Sequence, residues 1–192
     1  MANQDSAFGL RAIGKVGQNR DNQGLSEFSI AASSSAIYQH DPVKALATGY
    51  IGVAGAGDTL LGSLNGVFFT DANTSKPTWG NHLKASNTAT DIVGFVSDDP
   101  YERFEIQSDA AMAVASINLN MDLVYAAGAT PNFNSKVEVS QTNATTNSRQ
   151  IKVIGVTKDT LNNQKTNATT YSTNVNVIGV INEHFLKTTS GV

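Results

Sequence analysis

The side chains able to do chemistry in this chain are few and scattered. Asp98 and Asp99 are adjacent carboxylates, and glycoside-type acid–base hydrolysis uses a carboxylate pair held across a substrate. Here the pair stands directly before Pro100. Asp bonds nearby backbone and Pro fixes φ, so the pair reads as the cap of a tight turn. The three histidines, His40, His82 and His184, lie in separate contexts without His-x-His, His-x-x-x-His or paired acidic spacing. A metal site therefore has no support from spacing, and no cofactor is expected. The Gly-rich stretch Gly52 to Thr59 lacks the Gly-Lys-Ser/Thr ending of a phosphate-binding loop, and no helical pattern follows it. It reads as a flexible turn. No Gly-x-Ser-x-Gly occurs, and no nucleophile, base and orienting group are recognisable together. The chain is read as a non-enzyme.

Composition narrows the partners. Of 192 residues only 15% are charged, against about 25% in an average chain, while 40% are hydrophobic. Asn, Thr, Ser and Gln take the place of the missing charge. Such a surface suits dense packing against copies of itself or a partner, because like-charge repulsion stays small across an assembly. The net charge of −3 argues against nucleic acid, which needs a basic footprint. There is no Cys, so stability must come from packing and oligomerisation. The first ten residues show neither the basic nor the apolar region of a signal peptide. No run approaches the roughly eighteen apolar residues of a membrane span. Synthesis in a cytoplasm without export, and no membrane partner, are expected.

The pattern of elements is β. Residues 1–25 are polar and punctuated by glycine, and read as an extended arm whose isolated apolar residues are Phe8, Leu10 and Ile13. Residues 26–192 read as a single β-rich domain with long loops at 71–90, 141–149 and 157–173. Within it, Leu64 to Thr70 has aromatics on both faces. Ile92 to Val96 and Arg103 to Gln107 read as a hairpin around the Ser97–Tyr101 turn. Residues 109–120 suit one short helix or a buried strand. Val153 to Val156 recurs as Val177 to Val180, which predicts an antiparallel pair bent at Gly155 and Gly179. The expected fold is an all-β antiparallel sandwich or barrel of about nine or ten short strands with one short helix, plus the arm.

The order of phrases along the chain resembles the head decoration, or capsid cement, proteins of tailed bacteriophages. The phrases are Phe8-Gly9-Leu10-Arg11-Ala12-Ile13, Ile37-Tyr38-Gln39-His40-Asp41-Pro42-Val43, and Gly66-Val67-Phe68-Phe69-Thr70 with Lys76-Pro77. Ala89 to Val93, Asp98-Asp99-Pro100, Phe104 to Gln107, Leu119 to Leu123 and Ile178 to His184 follow in the same order. Ala12 stands where the family commonly has Pro, and Val180 where it commonly has Arg.

The resemblance implies a virion structural protein on the outer surface of an icosahedral head. Its partners would be the major capsid protein and its own copies, most often as a trimer. Phe8, Leu10, Arg11, Ile13, Lys15 and Arg20 of the arm are the capsid-contact candidates. Trp79, Tyr101 and Tyr171, placed in loops, are the interface candidates. The rival expectation is a phage fibre or adhesin module, in which those three aromatics stack on host-surface glycans.

Overall fold

A computed structural model describes residues 3–17, 24–128, 130–145, 148–158, 165–188 and 191. Among them are fourteen strands and two single-turn 3-10 helices, at Val114–Ser116 and Phe185–Lys187. All neighbouring strands pair antiparallel. The fold is all-β and antiparallel.

The strands form two sheets. The first has the order β1-β8-β14-β11-β9-β10, from β1 (Arg11–Lys15), β8 (Glu102–Gln107), β9 (Asn120–Val124), β10 (Glu138–Ala144), β11 (Ile151–Val156) and β14 (Asn176–Ile181). The second has the order β2-β7-β5-β3-β4, from β2 (Ser26–Ser29), β3 (Pro42–Ala45), β4 (Ile51–Val53), β5 (Gly62–Thr70) and β7 (Val93–Ser97). There β6 (Pro77–Gly80) pairs with the far half of β5. A small hairpin, β12 (Lys165–Asn167) and β13 (Thr170–Tyr171), completes the set.

Each sheet curls back on itself, the second between its end strands and the first between β8 and β10, with β1 outside the ring. In the second, Ile30, just past β2, bridges Ile51 of β4; in the first, Ser108, just past β8, bridges Val139 of β10. Both bridges are parallel. Parity requires this: a ring of five strands cannot alternate direction all the way round, so one contact must run parallel. Closure also removes most of the free edges that would otherwise recruit foreign strands. Each ring has its own core. Phe104, Ile106, Met121, Val153 and Val177 lead the first, and Ile30, Leu61, Leu64, Val67 and Val96 the second.

The second ring is inserted between β1 and β8, which are neighbours in the first. The expected hairpin of β7 and β8 is therefore absent. Both edges of β7 are taken by β2 and β5, and those of β8 by β1 and β14, so the Ser97–Tyr101 turn passes the chain between the rings. The predicted pair of recurring segments does form: β11 and β14 are neighbours, with the register slipping between Val153 and Gly155. A Cβ on Gly179 would lie 2.6 Å from the Ile151 side chain, a close approach that requires glycine.

No helix spans 109–120. Tyr171 donates to the Met112 carbonyl (2.8 Å) and Val114 to that of Thr169 (2.8 Å). The backbone there bonds to the β12–β13 hairpin instead of to itself, which leaves a single 3-10 turn.

Candidate interaction surfaces

The groups that looked chemically able are engaged in structure. Asp98 accepts from the Ser26 hydroxyl (2.8 Å) and Asp99 from the Tyr101 amide (2.7 Å), as a turn cap would. His82 is stacked between Phe133, 3.9 Å away, and Tyr38, 6.2 Å away. Burial, helped by Lys84, holds its pKa below the usual value. His40 is lowered likewise by burial, with Arg11 adding to the effect. His184 is fully buried and its Nδ1 accepts from the Leu186 amide (3.1 Å). Among the described residues no three His, Asp or Glu side chains converge as metal ligands would.

A cleft of about 580 Å³ lies between the rings, bordered by Tyr38, Asp41, Lys44, Asp58 and Tyr125. Its charges already have partners. Lys44 pairs with Asp58 at 2.8 Å, and the same Asp58 oxygen caps Gly55. Asp41 accepts from the Tyr38 amide at 2.8 Å. Burial raises both the Asp41 carboxyl and the Tyr125 hydroxyl.

The N-terminal segment departs from the expected arm. Residues 3–17 run along β8 and are fastened at each step. Asn3 donates to the Asn174 carbonyl (2.9 Å), and the Ser6 amide to the Gln107 side chain (2.8 Å). Leu10 is fully buried in the core of the first ring. Its amide donates to His40 (2.9 Å), and its carbonyl accepts from the Ser63 hydroxyl (2.6 Å), so it also straps the second ring to the first. Arg11 pairs with the nearly buried Glu105 and lies 4.9 Å from the ring of Phe8, which is half-buried. The Gly14 amide donates to Glu102 (3.1 Å), and Lys15 pairs with Asp99 at 2.6 Å.

These contacts set the local electrostatics. Burial raises the Glu102 carboxyl, opposed by the Gly14 N–H. Burial also works against the Asp99 charge, but Lys15 and the Tyr101 N–H outweigh it and hold that carboxyl low. Lys15 is raised by its hydrogen bond to Asp99.

Of the capsid-contact candidates, then, Leu10 is a core residue of its own chain, and Arg11 and Lys15 hold β1 in place. Phe8 is partly covered and Ile13 is exposed. Arg20 lies outside the described residues. Gly9 makes the docking feasible: its φ is +75°, and a Cβ there would overlap the His40 carbonyl and the Ser135 side chain. Gly9→Ala is expected to lower stability by about 2 kcal/mol, read as a shifted urea midpoint at unchanged slope.

The interface candidates separate as well. Tyr171 is only 6% exposed and belongs to the first core, so its ring is not available to a partner. Its hairpin is pinned to the segment around Met112, which turns the ring inward. Tyr101 is 62% exposed, with the Lys187 ammonium 4.9 Å from its ring. Trp79 is 69% exposed.

Two surfaces emerge that single-residue reasoning missed. Around the Asp98–Tyr101 turn, Val16 (48% exposed) donates its amide to the Tyr101 carbonyl (2.9 Å). Leu186 (56% exposed) adjoins the lysine that covers Tyr101, and Leu25 adjoins Ser26, which is bonded to Asp98. On the outer face of the second ring, Trp79 meets Phe68 (4.7 Å) and Phe95 (5.2 Å). The Phe68-Phe69 doublet was a usable signal for this face, since successive strand residues point to opposite sides in any register.

Compared with family models, with curated proteins and with solved structures, the chain matches none.

Proposed function

We propose that this chain is a non-enzymatic virion structural protein that decorates and stabilises an icosahedral phage capsid by binding the outer surface of the major capsid protein. The observation that supports it is the clustering of exposed apolar side chains. Nine large ones are exposed among the described residues, and four of them, Val16, Leu25, Tyr101 and Leu186, belong to the Asp98–Tyr101 turn or to segments bonded to it. A contiguous apolar patch with a polar rim marks an interaction site on a soluble protein. The rim here is the Lys15–Asp99 pair and Lys187.

The body is built to transmit load. Two closed rings are strapped by Leu10, and again where Leu60 exchanges backbone bonds with Glu183 (2.9 Å) and Phe185 (2.8 Å). A patch of this size binds modestly by itself. A closed homotrimer would multiply it through effective concentration and terminate growth, which suits a clamp on a shell. The basic residues of β1 keep that strand seated, and Val16, just past its end, is the segment's contribution to the patch.

Val16→Asp and Tyr101→Ala test this. Each is expected to weaken binding to empty, expanded heads of the source virus at least tenfold, about 1.4 kcal/mol, with the melting temperature within a few degrees of the parent. Undiminished binding by both variants would remove the patch as the docking site.

A further inference from the structure

Among the described residues nothing buries the aromatic face of the second ring at Trp79, and its construction is specific. Phe68 on β5 and Trp79 on β6 are directly opposite in register. Phe95 on β7, across the other edge of β5, is opposite Gly66. Trp79 and Phe95 are thus two strands apart, yet their rings lie 5.2 Å apart and within 22° of parallel. They meet over β5 because Gly66 places no side chain between them. The inner residues, Leu64, Val67 and Gly94, face the core. The outer face carries Val93, Phe95, Phe68 and Trp79 as one aromatic platform, in which Trp79 stacks on Phe95 and is tilted 50° to Phe68.

Two features choose its occupant. The first is area. Trp79 is largely exposed while Phe68 and Phe95 are half-buried, so the platform offers on the order of 300 Å². A stable protein interface takes roughly 800 Å² from each partner. One or two sugar rings fit this platform; a protein partner needs far more. The second is charge. Glu27, the cross-strand partner of Phe95, is exposed at one margin. At another, the exposed Asp91 carboxylate accepts from the Thr70 amide, a contact that keeps it ionised. Carboxylates on two sides repel an anionic ligand and accept hydrogen bonds from hydroxyls. Trp79 also borders a cleft of about 460 Å³ lined by Asp71, Asn73, Lys84 and Asn87.

We infer that the Phe68–Trp79–Phe95 platform binds a neutral glycan, stacking the apolar C–H face of a pyranose on the electron-rich face of Trp79. The C–H groups on one face of a pyranose, which carry partial positive charge, complement the negative ring face. This site is separate from the Asp98–Tyr101 patch, and it stands whether or not that patch binds a capsid.

The test uses the fact that Trp79 is the only tryptophan in the chain. Its emission is recorded while the full chain is titrated, at up to millimolar concentration, with cellopentaose, chitotetraose and a linear β-galactan oligomer. The expected result is a saturable change in Trp79 emission with at least one of them. Binding measured calorimetrically should then weaken at least tenfold in Trp79→Ala, with the β-sheet circular dichroism unchanged. Phe95→Ala, which removes the supporting ring and leaves the tryptophan, should weaken it as well. No emission change with any of the three oligosaccharides overturns the inference. A concentration-dependent dimer that is lost in Trp79→Ala also overturns it, and assigns the face to a second copy of the chain.

Discussion

Leu10→Ala is expected to destabilise the protein by about 2–5 kcal/mol, although Leu10 stands just before β1 in a polar, Gly-punctuated stretch. Its side chain is fully buried among the core residues of the first ring, so truncation leaves a cavity as well as losing apolar burial. Its backbone amide and carbonyl also tie the rings through His40 and Ser63; alanine keeps those bonds, so the loss reports the buried side chain. Ile13→Ala is the control. It sits three residues further along with its side chain exposed, and should change stability by less than about 0.5 kcal/mol. Urea unfolding of the two variants separates the cases. Equal, small effects would mean that the N-terminal segment is not docked. For the same reason a chain lacking residues 1–16 should lose cooperative folding of the first ring, because it exposes the edge of β8, removes the Gly14 N–H from the buried Glu102 and takes Arg11 from Glu105, which keeps Thr157 and Asn176.

The contribution of His184 to stability is expected to fall by about 3 kcal/mol between pH 6.5 and pH 4. Burial, reinforced by Lys187 and only partly opposed by Asp98 and Asp99, lowers its pKa from 6.5 to about 4. The unfolded chain takes up a proton as the pH falls through 6.5, and the folded chain does not until about 4. The contribution is therefore complete above pH 6.5, is lost across that window and falls no further below it. The structural cause is specific. Nδ1 accepts from the Leu186 amide, so the neutral ring carries its proton on Nε2. A second proton would occupy Nδ1 and remove the cap of the Phe185–Lys187 turn, beside the backbone bonds that join Leu60 to Glu183 and Phe185.

His40 and His82 shift in the same direction and add to the loss. Asp41, Glu102, Glu138 and Glu183 are raised by burial and work the other way, because in the folded chain they take up protons at higher pH than in the unfolded one. The readout is thus the slope of stability against pH in His184→Gln compared with the parent. A flatter slope between pH 4 and 6.5 is expected. Identical slopes would rule out His184 as the titrating group.

The fold class was legible because its signals are local. Turns at Asp41-Pro42 and Asp98-Asp99-Pro100 and alternating runs such as Phe104 to Gln107 announce strands wherever they occur. The recurring Val-Ile-Gly-Val phrase correctly paired β11 with β14. What stayed hidden depends on contacts between distant residues. The Ile30–Ile51 and Ser108–Val139 bridges that close the rings are single contacts without a local pattern. β1 was invisible because its register breaks between Ala12 and Gly14, which spoils a run already short. The assignment of 109–120 turned on whether the backbone bonded itself or a hairpin some fifty residues away, and periodicity cannot tell these apart.

The candidate sites divide along the same line. Aromatic type singled out Trp79, Tyr101 and Tyr171 equally. Only the packing of β13 against Met112 distinguishes the buried Tyr171 from the two exposed rings. Leu10 and Ile13 looked alike as isolated apolar residues, and the sharp turn permitted by Gly9 sends one inward. The patch of Val16, Leu25, Tyr101 and Leu186 joins four separate stretches of chain, so it exists only in the folded protein.

Co-sedimentation of the purified chain with empty, expanded heads of its source virus tests a capsid-decorating role most directly. Saturable binding at a fixed ratio to the major capsid protein is the expected result, and the ratio gives the copies per shell. Failure of the folded protein to bind such heads at any concentration would contradict it.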